Sequence, residues 1–448
     1  MSAISSLDWR GSGGGSLLIR GAHALDPASE LDRRCDLVVH EGRIAAIAEA
    51  GEGEAPEGAE EIDAGGLHAF PAFFDPHVHL RTPGQEYKED LETGTRAAAS
   101  GGYCGIVAMA NTDPVVEDPA DVRALRDRAA AEAVVPTGFV AAVTRGMRGE
   151  ELTEMAALRE AGAAAFSDDG LPIRSARVMR RALQYQRLVG GTILLHEEDP
   201  ELSGDGVMNE GPVSAALGLS GVPAVSESTM IARDAALCLY EDARTHVQHL
   251  SARASVETVA TAKDAGARLT AELTPHHLVL TDEEVRSLDA RFKMNPPLRT
   301  EDDRQALIEA LRSGVVDCIG TDHAPHAVNE KEVPFEVAMM GVIGLETAFS
   351  VLYTELVEPG VCDLGLIVER MGAGARLFDL EPAALAAGAE ANVALVDLEA
   401  EWEAGAEGWE SRSENSCFTG RRLRSRPVLT IVGGEVAYRR RSFAMRVA

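Results

Sequence analysis

The chain has 448 residues, 45% apolar but only 4% aromatic, with 43 glycines; that suggests more than one domain or one large α/β barrel with an appendage, filled by aliphatic side chains rather than rings. Its 42 basic and 72 acidic residues leave a formal charge of -30, a field that repels nucleic acid and anionic membrane. Six scattered cysteines without CxxC spacing argue against a disulfide scaffold and a thiolate zinc site, so any metal must use histidine and carboxylate.

Only four lysines occur (Lys88, Lys263, Lys293, Lys331), so arginine carries nearly all the positive charge. Such a surface suits a salty cytoplasm. With no 18-residue apolar window and no signal-like start, the expected location is cytoplasmic.

Along the chain, "SLLIRGAHAL" and "CDLVVHEGRIAAI" read as short strands joined by Gly and Asp turns. After the acidic loop "EAGEGEAPEGAEEI", the run "PAFFDPHVH" opens a different pattern, in which apolar strands alternate with Ala/Glu/Arg helices. The further strands are "GIVAMANT", "PTGFVAAVT", "AAAFSDDG", "GTILLHEED", "THVQHLSA", "ARLTAELTPHH" and "VDCIGTDHAP". Eight strands is the number that closes a (β/α)8 TIM-type barrel. Strand character returns in "NVALVDLEAEWE" and "PVLTIVGGEVAYRR". The expected organisation is therefore a barrel over 70–375, flanked by a small composite β-sandwich domain assembled from 1–69 and 376–448. An open doubly wound sheet would carry GxGxxG after an early strand; "GSGGGS" is followed by no helix and reads as a linker.

Barrel chemistry sits at the carboxyl ends of the strands. Those exits carry His77 and His79, Asn111, Asp168 and Asp169, His196, His249, His276 and His277, then Asp322, His323 and His326: eight of the twelve histidines. Period 2 points His77 and His79 to one side. Alone, an HxH is more often a turn or core pair. Joined by His196, His249, Asp169 and Asp322 at other exits, it reads as a metal cluster. Zinc accepts imidazole nitrogen and carboxylate oxygen, and supplies hydroxide at neutral pH, which suits hydrolysis rather than hydride transfer.

Asp322, just past "VVDCI", is the candidate general base and general acid, against the plain reading of a turn aspartate. Arg81 continues the face of His79 and can grip a carboxylate at two points, with Asn111 and Asn295 adding amide hydrogen bonds. A lone loop arginine is ordinarily a surface group; a neighbouring metal cluster reverses that balance. His326 projects from the loop after Asp322. His276 and His277 stay open between structural, ligand-holding and substrate roles, and His23, His40, His68 and His246 read as ordinary.

"DPHVHLRTPGQEYKEDLETGTRAAASGG", "MANTDP", "AFSDDG", "HEED", "HVQHLSA", "ELTPHHLVLT", "KMNPPLR" and "GTDHAPH" together resemble dihydroorotase of the amidohydrolase superfamily, in its longer bacterial type I form. The resemblance runs from about residue 8 to the carboxyl terminus. It implies a metal-containing barrel with a composite β domain that interconverts dihydroorotate and N-carbamoyl-L-aspartate in pyrimidine synthesis. By position, the zinc ligands would be His77, His79, Asp169, His196, His249 and Asp322, with Asp168 the alternative to Asp169. Arg81 and Asn111 would take the substrate carboxylate, with Asn295 and His326 nearby. Zinc-bound hydroxide would attack the ring amide carbonyl while Asp322 shuttles the proton.

Many relatives bridge two metals with a carboxylated lysine after the fourth strand. Here "AAAFSDDG" offers Asp, and no lysine lies between Lys88 and Lys263. The resemblance therefore implies one zinc, with a second left open. Thr82 and Ala110 stand where Glu and Pro are frequent, without removing a ligand. Allantoinase and hydantoinase are the enzyme alternatives; they usually keep the lysine and lack an arginine at position 81. A non-catalytic partner of aspartate transcarbamoylase is the other alternative, but those have typically lost ligands retained here. The expected partners are a small-molecule substrate and either a second copy, as a homodimer, or aspartate transcarbamoylase.

Overall fold

Residues 3–443 are described in this computed structural model, so the expected outer domain bounds at 1 and 448 lie outside the described residues. Eight strands form one parallel sheet in chain order: β1 Phe73–Val78, β2 Tyr103–Ala108, β3 Thr137–Ala141, β4 Ala165–Ser167, β5 Ile193–Leu195, β6 Thr245–Val247, β7 Leu269–Leu273 and β8 Cys318–Ile319. The sheet closes where Val78 bridges His323 in parallel and the His79 amide donates to the His323 carbonyl at 2.8 Å. The result is the (β/α)8 barrel.

Its strands are short and apolar because helices cover one face and the opposite strands the other. All six residues of β2, "YCGIVA", are buried, the continuous pattern of a parallel strand without a wet face. The helices carry their own start and stop signals. Glu301–Ser313 begins at Thr300, which forms a reciprocal capping box with Asp303. Three acids occupy its first turn, Arg312 its last, and Gly314 at φ 81° ends it. Replacing Thr300 by Ala would cost about 1 kcal/mol.

The second large sheet takes Leu17–Asp26, Leu31–His40, Arg43–Glu49, Glu60–Asp63 and His68–Pro71 from one end of the chain, and Val393–Glu403, Arg422–Val432 and Glu435–Arg439 from the other. The two ends join where His68–Pro71 pairs antiparallel with Val393–Glu403. This places the composite domain directly before β1, since Phe73 follows Pro71 by two residues. The stretch ahead of Leu17 behaves differently. Ile4 packs into the barrel core and Asp8 bridges Thr137 on β3.

The chain between β5 and β6 holds an insertion with a short parallel pair, Met208–Asn209 and Gly221–Val222. Buried Arg299 ties it down, donating to Asn209 Oδ1 at 3.0 Å, the Val222 carbonyl at 2.6 Å and Ser251 Oγ at 3.1 Å. Among the described residues, no helix is long and apolar enough to cross a membrane.

Candidate active site

Asp75 sets the geometry at the end of β1. Its carboxylate accepts from the His77 amide at 3.0 Å, and from the Thr321 amide and hydroxyl at 3.1 and 2.6 Å. β1 and the exit of β8 are thereby locked together, which brings Asp322 beside His77 and His79.

The four expected histidines meet around Asp169. Its Oδ2 lies 3.6 Å from His77 Nε2 and 3.4 Å from His79 Nε2; its Oδ1 lies 3.8 Å from both His196 Nδ1 and His249 Nε2. Asp322 Oδ1 is 2.9 Å from His79 Nε2 and 3.5 Å from His77 Nε2. His196 Nδ1 and His249 Nε2 are 2.9 Å apart. Asp168 points elsewhere: it accepts from the amides of Val143 and Thr144 at 2.8 and 3.0 Å and from the Thr144 hydroxyl.

Three of the histidines are held from behind by the nitrogen that faces away from Asp169. His77 Nδ1 is 2.6 Å from Glu272 Oε1, His79 Nδ1 is 2.9 Å from Asn111 Oδ1, and His196 Nε2 is 3.3 Å from Glu198 Oε2. The fourth, His249 Nδ1, is buried without a hydrogen bond.

The cluster has the electrostatics of a cation site. Burial pushes the Asp169 carboxyl up, but His77, His249 and His79 overcome it and hold the group well below the usual carboxylate range. Burial acts the same way on Asp322, and His77, His79 and His249 again prevail, leaving it depressed. Conversely, burial disfavours a charged His77, yet Glu272, Asp169 and Asp322 draw a proton onto it. Buried carboxylates need paired positive charge. Imidazole nitrogens and carboxylate oxygens suit a borderline-soft divalent ion, so the donor set fits zinc.

A cavity of about 460 Å³ opens over this floor, with Arg81, Asn111, Asn295 and His326 on its walls and Met339–Gly341 at its edge. Arg81 is 8% exposed. Its Nε donates to the Pro325 carbonyl at 3.1 Å and its Nη2 lies 3.5 Å from His326 Nε2, while Nη1 makes no hydrogen bond among the described residues. The guanidinium is thus fixed in place with a donor to spare. His326 Nε2 lies 2.8 Å from the Met340 carbonyl, and burial with the charges of Arg81 and Lys331 pushes its ring down to about 3, so it is neutral.

Three of these residues have strained backbones: Arg81 at φ 57°, His249 at φ 35° and Asp322 at φ 47°. Non-glycine residues in this region cost roughly 1–3 kcal/mol each and persist where the surroundings over-determine them.

Asn111 and Asn295 reach the cavity, but both amides are already engaged. Asn111 Oδ1 holds His79, and Asn295 Nδ2 donates to Glu198 Oε2 at 2.7 Å. His277 is structural, 2.8 Å from Thr274 Oγ1 and 3.0 Å from the Pro296 carbonyl. His276 is buried with Nε2 lacking a partner. His323 packs against Glu89 at 3.3 Å and accepts from the Gly344 amide at 3.2 Å.

Sequence reasoning missed Glu198 and Glu272. Glu198 sits two residues past His196 in "HEED", where a carboxylate near the ligand was visible. Glu272 lies inside β7 in "ELTPHH", and a buried acid in an apolar strand was the signal that could have exposed it.

Residues 68–257 match the family described as Dihydro-orotase-like. The chain is 43% identical over 427 residues to a dihydroorotase of Geobacter metallireducens, covering 95% of this chain and 100% of that one. It is 44% identical over 427 residues to a dihydroorotase of Geotalea daltonii, with the same coverage of 95% and 100%. Among solved structures, an L-hydantoinase (dihydropyrimidinase) from Arthrobacter aurescens is similar with a TM-score of 0.82 at 25% identity, covering 94% of this chain and 96% of that one.

Proposed function

We infer the function from kinship first: the chain belongs to the dihydroorotase family, and it is an enzyme of cyclic amide hydrolysis in pyrimidine biosynthesis. We propose that it interconverts dihydroorotate and N-carbamoyl-L-aspartate with zinc. The observation that carries this reading is the convergence of four histidines and two aspartates on the floor of the cavity whose wall holds Arg81.

His77, His79 and Asp322 would hold one ion and His196 and His249 a second, with Asp169 offering one oxygen to each. The opposite orientation of its two oxygens supports two ions rather than one. Zinc, when bound, polarises a carbonyl and makes water a stronger acid.

The chain's own residues do the rest. Arg81 grips the substrate carboxylate through donors that the Pro325 contact leaves free. Neutral His326, alongside, adds a polar contact without competing for charge. Asp322 takes the proton of the attacking water and hands it to the departing ring nitrogen as the carbon–nitrogen bond breaks. Cyclisation runs these steps backwards and releases water.

The likeness to a hydantoinase structure favours a second reading, the opening of a hydantoin ring. Arg81 argues for a ring bearing a carboxylate. Ultraviolet absorbance of zinc-loaded protein with dihydroorotate, and separately with hydantoins, decides between them. Turnover of dihydroorotate alone supports the proposal, and turnover of hydantoins alone overturns it. Turnover without any added chain also overturns the non-catalytic-subunit reading, and sizing chromatography with and without aspartate transcarbamoylase tests that partnership and the homodimer.

A further inference from the structure

We propose that Glu272 is a positioning residue that fixes the His77 ring for metal binding, and that His246 anchors it by holding its second oxygen. The inference rests on the metal reading above. Glu272 is wholly buried on β7, inside the barrel beneath the cavity floor. Oε1 lies 2.6 Å from His77 Nδ1, and Oε2 lies 3.1 Å from His246 Nε2. His246 is itself held from behind by Thr270 Oγ1 at 2.9 Å. A relay from Thr270 through His246 and Glu272 to His77 therefore crosses from β6 and β7 to β1.

A carboxylate in a barrel core is unfavourable unless its oxygens are hydrogen-bonded. Both oxygens of Glu272 take ring N–H groups, which meets that requirement. His246, Glu272 and Cys318 also lie close together, but His246, with Nε2 on Glu272 and Nδ1 on Thr270, has no nitrogen left for an ion there. With a cation bound, the contact with Nδ1 keeps the remaining proton of His77 on that nitrogen and leaves the lone pair of Nε2, on the side of Asp169 and Asp322, for the ion. The neighbourhood makes room for this arrangement. A side chain at Gly320 would place its Cβ 2.8 Å from Glu272 Oε2.

Outer carboxylates of this kind typically change metal affinity about ten- to a hundredfold. The test is the zinc dissociation constant of the full chain, measured by competition with a chromophoric chelator, for the unmodified protein, Glu272→Gln and Glu272→Asp. The aspartate variant keeps the charge while drawing the carboxylate back from His77, and so tests the inference even if the glutamine variant fails to fold. The expected result is at least tenfold weaker zinc binding in each folded variant and a changed visible spectrum of the cobalt-substituted protein. Equal zinc affinity and an equal cobalt spectrum in a folded variant overturn the inference and leave the metal reading standing. Failure of the unmodified protein to bind zinc overturns both, and is seen without any variant.

Discussion

Asp322 Oδ1 lies 2.9 Å from His79 Nε2, on a residue whose backbone sits at φ 47°. The strained turn aims the carboxylate at the histidine cluster and into the cavity at once, which is the position a proton shuttle needs.

Asp322→Asn keeps the size of the side chain, and asparagine tolerates the left-handed region well. The variant should fold normally and lose turnover of dihydroorotate by about a hundred- to ten-thousandfold, the range removed with a general acid–base group. Absorbance kinetics beside a circular dichroism spectrum check this. A folded variant with near-normal turnover would refute the shuttle.

Arg81→Lys keeps the charge and discards the planar fork. Because the guanidinium is buried and already oriented by the Pro325 carbonyl, KM for dihydroorotate should rise roughly tenfold to a hundredfold, in line with about 1.5–3 kcal/mol for a hydrogen bond to a charged group. The effect on kcat should be smaller. An unchanged KM would mean that the substrate carboxylate lies elsewhere.

Asp169 is the group that distinguishes one ion from two. Metal analysis after dialysis against zinc should find two ions per unmodified chain and at most one in Asp169→Asn. Two ions retained in the variant would remove Asp169 from the bridge.

Burial raises the Glu346 carboxyl to about 7, against the pull of the Glu410 and Ser411 amides that donate to it. A folded state that holds this proton more tightly than the unfolded chain is stabilised below the ordinary carboxylate range, and that contribution is lost as pH rises through about 7. Melting temperature should therefore decline between pH 4.5 and 7 more steeply for the unmodified protein than for Glu346→Gln. Parallel profiles would contradict the shift.

The charge of -30 should make stability depend on salt. The Debye length shrinks from about 10 Å at 0.1 M to about 3 Å at 1 M, and the self-repulsion of the acidic surface falls with it. Melting temperature and activity are expected to rise over that interval. Identical values at both concentrations would end the argument for adaptation to high salt.

The sequence by itself determined the barrel and which residues stand at its rim. Eight apolar runs separated by helices admit few closures, and period 2 with a single barrel polarity sends His77, His79, His196, His249 and Asp322 to the same end. Arg81 lies three residues past the end of β1 with φ 57°, so its place on the cavity wall came from the turn and the Pro325 carbonyl rather than from alternation. Only the tertiary structure separated Asp168 from Asp169, because both follow a strand end, where alternation stops: the amides of Val143 and Thr144 capture Asp168, and Asp169 lies among the histidines. It also engaged Asn111 and Asn295 with His79 and Glu198, and gave His246, ordinary in the sequence, a place behind Glu272. Glu272 and His77 are 195 residues apart. Local periodicity says which way a strand residue faces, but the partner it meets comes from another strand, and only closure of the barrel brings the two together.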